Sequence, residues 1–352
     1  MADKTIDAGI TYYCAKSVAP YIKTLKKSAQ NVKRRKNIED IHDVRVASRR
    51  IRACLSIFVD CLPSKKAKSW QNEVKKITSA YGRVRDLDVQ IDLVTTIIHS
   101  VQDQKLRSGL RRVMLRLKQK REKKQKNTTN LTNSILESTV LLEMEAWTEA
   151  VLSNFEQETY KTPELFKLGY KQIQSRLDEF LFYEVFIFDP DRMEELHQMR
   201  IAAKRLRYAL EVFSDLYDAK TDFAMDTARQ TQQYLGEIHD ADVWLMSLPK
   251  FMEREHRRIQ KFYGYGSPFS RIRAGIEYLI ENRKKERNKL YTHFIKDWQN
   301  WKLKETWLNL RKVIFLTNME EFLQKPESRS PTGGTPLEEL PEPPSGNEPE
   351  NQ

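Results

Sequence analysis

Two stretches of this sequence place one histidine and a run of cations on a single helical face. The first reads His42-Asp43-Val44-Arg45-Val46-Ala47-Ser48-Arg49-Arg50-Ile51-Arg52 and is followed by Phe58. The second reads His197-Gln198-Met199-Arg200-Ile201-Ala202-Ala203-Lys204-Arg205-Leu206-Arg207 and is followed by Phe213, 155 residues further on. In both, offsets 0, 3, 7 and 10 hold His, Arg, a cation and Arg. At 3.6 residues per turn those offsets share one face of a helix. Val44, Ile51, Leu55 and Phe58 fall on the opposite face of the first, and Met199, Leu206, Leu210 and Phe213 on that of the second.

Anion binding is the chemistry such a face can do. Arginine forks two donors onto phosphate oxygens, and a lysine such as Lys204 adds a point charge. An imidazole serves phosphate through its N–H or as the cation. A lone basic helix face ordinarily means a solvated surface. Here the pattern recurs in register and lacks the carboxylates that neutralise such a face by i,i+4 pairing. Neither histidine has a second ligand four residues on, so metal ligation is not expected. No glycine-rich phosphate loop, Gly-x-Ser-x-Gly elbow or Cys–His pairing is present, and the sequence assigns no catalytic residue and no cofactor. Asp86 and Asp88 recur as Asp240 and Asp242, after a glycine at 82 and 236. On a helix such a pair points roughly 200° apart. One aspartate of each pair is expected to anchor neighbouring arginines.

Composition agrees with a polyanionic partner. The 352 residues carry a formal charge of +12. The stretch from Pro326 holds six glutamates and one arginine, leaving about +17 on residues 1–325. Such a balance favours nucleic acid, polyphosphate or an anionic membrane surface without choosing among them. Cys14, Cys54 and Cys61 have no metal-ligand spacing and form no disulfide framework, which points to a reducing, cytoplasmic setting. No apolar segment is long enough to be a signal or a transmembrane span.

Periodicity predicts helices throughout: 8–32, with Pro20 interrupting it or marking an early start; 38–60; 66–81, running into an apolar stretch that reaches Ile98; 104–142; 164–187; 194–215; 222–246; 270–298; and 301–323. Between Lys105 and Lys126 stand eleven Lys or Arg and one Glu. Two apolar stripes, Leu106–Leu110–Val113–Leu117 and Ile272–Ile276–Leu279, run on into cations, Arg121 and Lys124 in one case and Arg283 and Arg287 in the other. Matching elements at a near-constant offset indicate an internal duplication. The expected organisation is one unit, 5–323, made of halves 5–145 and 163–300, a junction at 146–162 and an extra helix at 301–323. Residues 326–352 are expected to be a disordered, acidic, proline-rich tail.

The motif His42-x-x-Arg45-x-x-x-Arg49-Arg50-x-Arg52, its copy at 197–207 and the segments 85–89 and 239–243 resemble the CHAD family, the conserved histidine α-helical domains, over residues 5–315. The resemblance implies an all-α fold of two pseudo-symmetric antiparallel four-helix bundles with a basic central groove. It also implies non-enzymatic binding of inorganic polyphosphate and, in bacteria, association with polyphosphate granules. The family's histidines fall on His42 and His197. Its groove cations fall on Arg45, Arg49, Arg50, Arg52, Arg200, Lys204, Arg205 and Arg207, and more loosely on Arg107, Arg111, Lys118, Arg121, Arg283 and Arg287. Many relatives carry a triphosphate-hydrolysing CYTH domain upstream; this sequence starts at the CHAD portion, so that activity is not expected. Competing readings are a nucleic-acid-binding helical protein and a phosphoanhydride-processing enzyme. RNA is a possible competing polyanion, but the repeated faces lack aromatics interleaved for base stacking. An enzyme would need more than the paired aspartates. Chain-length preference and oligomeric state stay open.

Overall fold

The computed structural model describes residues 7–35, 38–154 and 160–323. The expected tail, 326–352, lies outside them. Among the described residues the chain is ten α-helices joined by turns and short 3-10 segments, with no strand. They are α1 (Ala8–Arg35), α2 (Ile38–Ile57), α3 (Ser64–Ser100), α4 (Gln104–Leu136), α5 (Thr139–Ser153), α6 (Pro163–Phe182), α7 (Met193–Phe213), α8 (Asp222–Tyr263), α9 (Ser270–Leu303) and α10 (Thr306–Leu323).

Local chemistry sets the boundaries. Asp103 caps α4 by accepting from the Lys105 N–H at 2.8 Å, and Thr162 caps α6 ahead of Pro163, which fills a position where no N–H is needed. Gly264 closes α8 with a left-handed φ of 79°. Three expectations change. The helix expected over 222–246 runs on, as α8, to Tyr263. Pro20 does not interrupt α1: it is exposed, and the helix runs through it at the cost of one backbone hydrogen bond. The stretch expected as one helix over 104–142 is two, because the Ser138 side chain accepts from the Leu141 N–H at 3.3 Å and starts α5 afresh. The expected junction therefore opens inside α5.

Helices α1 to α4 pack on their neighbours in sequence and α5 folds back on α1; α6 to α9 do the same and α10 folds back on α6. The helix expected as an extra at 301–323 thus stands to α6 as α5 stands to α1. The apolar faces of the repeated motif are fully buried: Val44, Ile51, Leu55, Phe58, Met199, Leu206, Leu210 and Phe213 are each 0% exposed. Burial of that kind stabilises by roughly 1.5–3 kcal/mol per side chain.

Two joints hold the runs of helices together. At one, Phe58 and Phe213, which end the two motifs, meet edge to face at 5.7 Å, and Tyr13 stacks on Phe213 at 6.0 Å. The Tyr13 hydroxyl donates to the Val212 carbonyl at 2.7 Å. At the other, α4 crosses α9 backbone to backbone. A Cβ on Gly109 would lie 2.2 Å from the Ile272 carbonyl oxygen, and one on Gly275 would lie 2.1 Å from that of Leu106. Only glycine fits at either position. A second, smaller core surrounds this crossing, built from Val94, Val113, Trp244, Leu248 and Ile276 among others.

Candidate anion-binding site

Between the two joints, α2 and α7 bring their cationic faces together. Arg45 lies within electrostatic reach of Arg49 and Arg200. Lys204 lies within reach of Arg49, Arg200, Arg205 and Arg52. Arg49, Arg52, Lys204 and Arg205 line a cavity of about 360 Å³, with Arg176 of α6 and Tyr208 completing its wall. Burial and these like charges push Lys204 down to about 8. Burial is also the leading cause that lowers Arg45, Arg200 and Arg176 from the ordinary guanidinium range. Like charges roughly 4 Å apart at a protein surface repel by about 4 kcal/mol. Such a cluster is relieved by an anion.

The heads of the two motifs match in their hydrogen bonding. His42 Nδ1 and His197 Nδ1 are buried and have no hydrogen-bond partner among the described residues. Arg45 Nε and Arg200 Nε are in the same state. Gly82 and Gly236, on α3 and α8, sit against those two Nε atoms. The His197 ring stacks on His239 at 4.3 Å. Burial, the charge of His239 and that of Arg200 lower His197 from its ordinary value.

The aspartate pairs do more than expected. Asp86 faces Arg45 of α2, 3.3 Å from Nη2. Asp88, turned the other way on α3, accepts from Arg121 Nε of α4 at 2.8 Å. Asp242 on α8 likewise pairs with the buried Arg287 of α9, whose Nη2 also donates to the Pro190 carbonyl at 2.7 Å. Asp240 lies within electrostatic reach of Arg200 and of Asp86. Burial and the charge of Asp240 raise Asp86 above its ordinary range, against the pull of Arg45. Two of the cations that interrupt the apolar stripes of α4 and α9, Arg121 and Arg287, are thus met by buried carboxylates across the helix interface.

The structure divides the remaining sequence-predicted residues. Arg50 and Arg207 lie on the far side of Tyr208. Both pair with Glu211, Arg50 Nη2 at 3.2 Å and Arg207 Nη1 at 2.8 Å, and both guanidiniums lie over the Tyr208 ring, at 5.2 and 4.7 Å. Arg205 pairs with Glu179. Arg107 donates through Nε to the Val101 carbonyl at 2.6 Å. Arg283 is held by the Asn282 side chain. Arg111 and Lys118 are exposed on α4. Arg176 and Tyr208 were not expected at the site. At the positions matched to them, 155 residues earlier, stand Tyr21 and Ala53, so the repeat gives no sign of either.

The CHAD domain family model matches residues 16–249. The chain belongs to the CHAD family. Two solved structures share its fold. The crystal structure of the CHAD domain from the plant Ricinus communis is 20% identical, with a TM-score of 0.53, over 76% of this chain and 91% of that one. PptA from Streptomyces chartreusis is 15% identical, with a TM-score of 0.56, over 82% of this chain and 99% of that one. Among curated proteins none matches.

In this CHAD chain no group of three His, Cys, Asp or Glu is placed to hold a metal ion among the described residues. No described helix is long and apolar enough to cross a membrane. The three cysteines are free, and burial pushes the Cys54 thiol up to about 12.

Proposed function

We propose that this chain binds inorganic polyphosphate, without transforming it, through a basic groove between α2 and α7. The phosphate ligands are His42, Arg45, Arg49, Arg52, His197, Arg200 and Lys204. The matched, buried and unpartnered Nδ1 and Nε atoms of His42, His197, Arg45 and Arg200 carry this reading. The two guanidinium Nε donors, at equivalent places in two repeats, call for oxygen acceptors from outside the chain, since an unmet buried donor costs about 1–3 kcal/mol, and each Nδ1 joins them when it carries the proton. Arg49, Arg52 and Lys204 continue the same surface with charge that no carboxylate pairs among the described residues. The two halves, taken as a duplication, grip the polymer from both sides. Arg121, Arg287, Arg50 and Arg207 serve as positioning residues, each fixed by a carboxylate, and Arg205 borders the groove. Arg107, Arg111, Lys118 and Arg283 add long-range charge. Membership in the CHAD family supports the ligand class. A cytoplasmic place at polyphosphate granules follows from the same reading.

Competition tests it. Long-chain polyphosphate should displace RNA from the full chain at equal charge concentration, and the reverse result would favour a nucleic-acid protein. Incubation with polyphosphate and Mg²⁺ or Mn²⁺ should release no phosphate; release would make the chain an enzyme.

A further inference from the structure

A second basic cluster stands about 21 Å away along α8, taking 1.5 Å per residue over the fourteen residues from Asp240 to Arg254. Its centre is Glu255, a carboxylate with no solvent exposure. Arg112 Nε and Arg116 Nε of α4 each donate to it at 2.8 Å. Arg116 Nη2 donates at 3.2 Å, and Arg258 pairs with it from the next turn of α8. Burial by itself raises the Glu255 carboxyl, but hydrogen bonds from Arg116 and Arg258 and the charge of Arg112 hold it below its ordinary value.

One carboxylate neutralises one of these three guanidiniums. The excess faces a cavity that opens at the surface, where Lys120, Lys123, Arg254 and Arg258 are exposed. Arg116 and Arg258 line a cavity of about 560 Å³, and Lys120, Lys123 and Arg254 line it with them, against the single carboxylate of Glu122. Burial and the charges of Arg254 and Arg258 lower Lys120 from its ordinary value. A structural ion pair between α4 and α8 needs one arginine. Three, braced by a buried carboxylate and opening on further cations, form a rigid array of forked donors. That arrangement matches phosphate oxygens, which accept two parallel N–H bonds from each fork.

The cluster joins α4 of the first half to α8 of the second and has no duplicate on α9. Gly109 with Gly275, and Arg121 with Arg287, set α4 against α9 at an offset of 166. On that register Arg112, Arg116 and Lys120 correspond to Tyr278, Asn282 and Glu286. The pocket is therefore no echo of the duplicated motif.

The geometry points to a second, independent phosphate-binding site on the α4–α8 flank, which takes condensed phosphate through Arg116, Lys120, Lys123, Arg254 and Arg258. The ligand class rests on the function proposed above; the site stands on its own residues. A long polymer would then be held at two stations on one chain, and tethering makes the second contact effectively intramolecular.

Tripolyphosphate is too short to bridge the two stations and serves as the probe. Calorimetric titration of the full chain should resolve two equivalents. In K120Q/R254Q, which leaves the Glu255 brace intact, one equivalent should weaken at least tenfold while the other persists. In R49Q/K204Q the surviving equivalent should be the α4–α8 one. If K120Q/R254Q binds as the unaltered chain does, the second site is overturned, whatever R49Q/K204Q shows. If only R49Q/K204Q is without effect, the α2–α7 site fails and this one stands. Poly-glutamate displacing tripolyphosphate from R49Q/K204Q at equal charge would overturn the ligand class in favour of an acidic peptide. Circular dichroism should give both variants the melting profile of the unaltered chain; a lost fold in K120Q/R254Q would mean that these cations are structural and would overturn the site.

Discussion

The two cavities on either side of Tyr208 share walls from α2 and α7, yet only the smaller is lined by carboxylates, Glu211 and Asp215. The smaller, about 230 Å³, contains Arg50 and Glu211. Glu211 takes up both Arg50 and Arg207. The larger, about 360 Å³, contains Arg49, Arg52 and Lys204, and at the position matched to Glu211 it has Ser56. The repeated motif alone would make both sides equally cationic. The difference between Glu211 and Ser56 makes one side a structural ion-pair network and leaves the other in need of an anion. Sequence repetition supplies the charges, and one unrepeated residue decides which of them stay free.

That contrast can be broken at several points. Removing the free side has the largest effect. R49Q/K204Q deletes two charge-assisted contacts, worth about 3–6 kcal/mol together, so polyphosphate affinity should fall at least about 100-fold. Fluorescence anisotropy with labelled polymer at fixed salt reads this, and a loss under tenfold would contradict the assignment. Making the two sides alike comes next. Ser56→Glu puts a carboxylate on an exposed site that lines the larger cavity. Affinity should fall roughly tenfold, the equivalent of one charge-assisted hydrogen bond, with little change in stability. Unaltered binding would mean that Arg49 and Arg52 do not meet ligand. Glu211→Gln acts in the opposite sense. It strips the counter-charge from Arg50 and Arg207, and thermal or denaturant unfolding should show a loss of about 1–3 kcal/mol. Polyphosphate affinity should rise several-fold as the smaller cavity becomes receptive; a fall would contradict the comparison.

The smallest effect is that of pH, and its sign follows from the two lowered groups. Lys204 has a free-state value of about 8. A bound polyanion favours its charged form and raises that value, so affinity is flat below about pH 8 and falls above it by at most about tenfold per pH unit. His197 is lowered by burial, by His239 and by Arg200. Bound anion raises it too, so affinity climbs as pH falls below 7. K204M should remove the alkaline limb and H197A the acidic one, as titrations from pH 6 to 9 would show. A variant that keeps its limb would clear that residue of the role.

The helices and the buried faces of α2 and α7 were legible in the sequence because they depend on local periodicity. The burial of Val44, Ile51, Met199 and Leu206 is a direct consequence of 3.6-residue spacing. The break between α4 and α5 was not legible, because apolar spacing continues across Ser138 and one side-chain cap ends the helix. Nor was the fate of Arg50. Its partner Glu211 lies 161 residues away in sequence, and only the crossing of α2 on α7 brings them together. Arg207 with Glu211 is an i,i+4 pair that periodicity does contain. Arg121 and Arg287 stood out as cations in apolar stripes. The aspartates that receive them were visible too, but their direction across the helix interface was not. Glu255, in a cation-rich stretch of α8, gathers arginines from α4 that no repeat would place beside it.

The central claim is that the clustered cations on α2 and α7 release counterions by meeting phosphates. The salt dependence of long-chain polyphosphate binding tests it most directly. By analogy with single-stranded nucleic acid, the log–log slope is about −0.7 per phosphate neutralised, so the five Arg and Lys contacts give roughly −3.5. R49Q/K204Q should lower its magnitude by about 1.4, two contacts' worth. A flat profile in the unaltered chain, or an unchanged slope in the variant, would contradict the account.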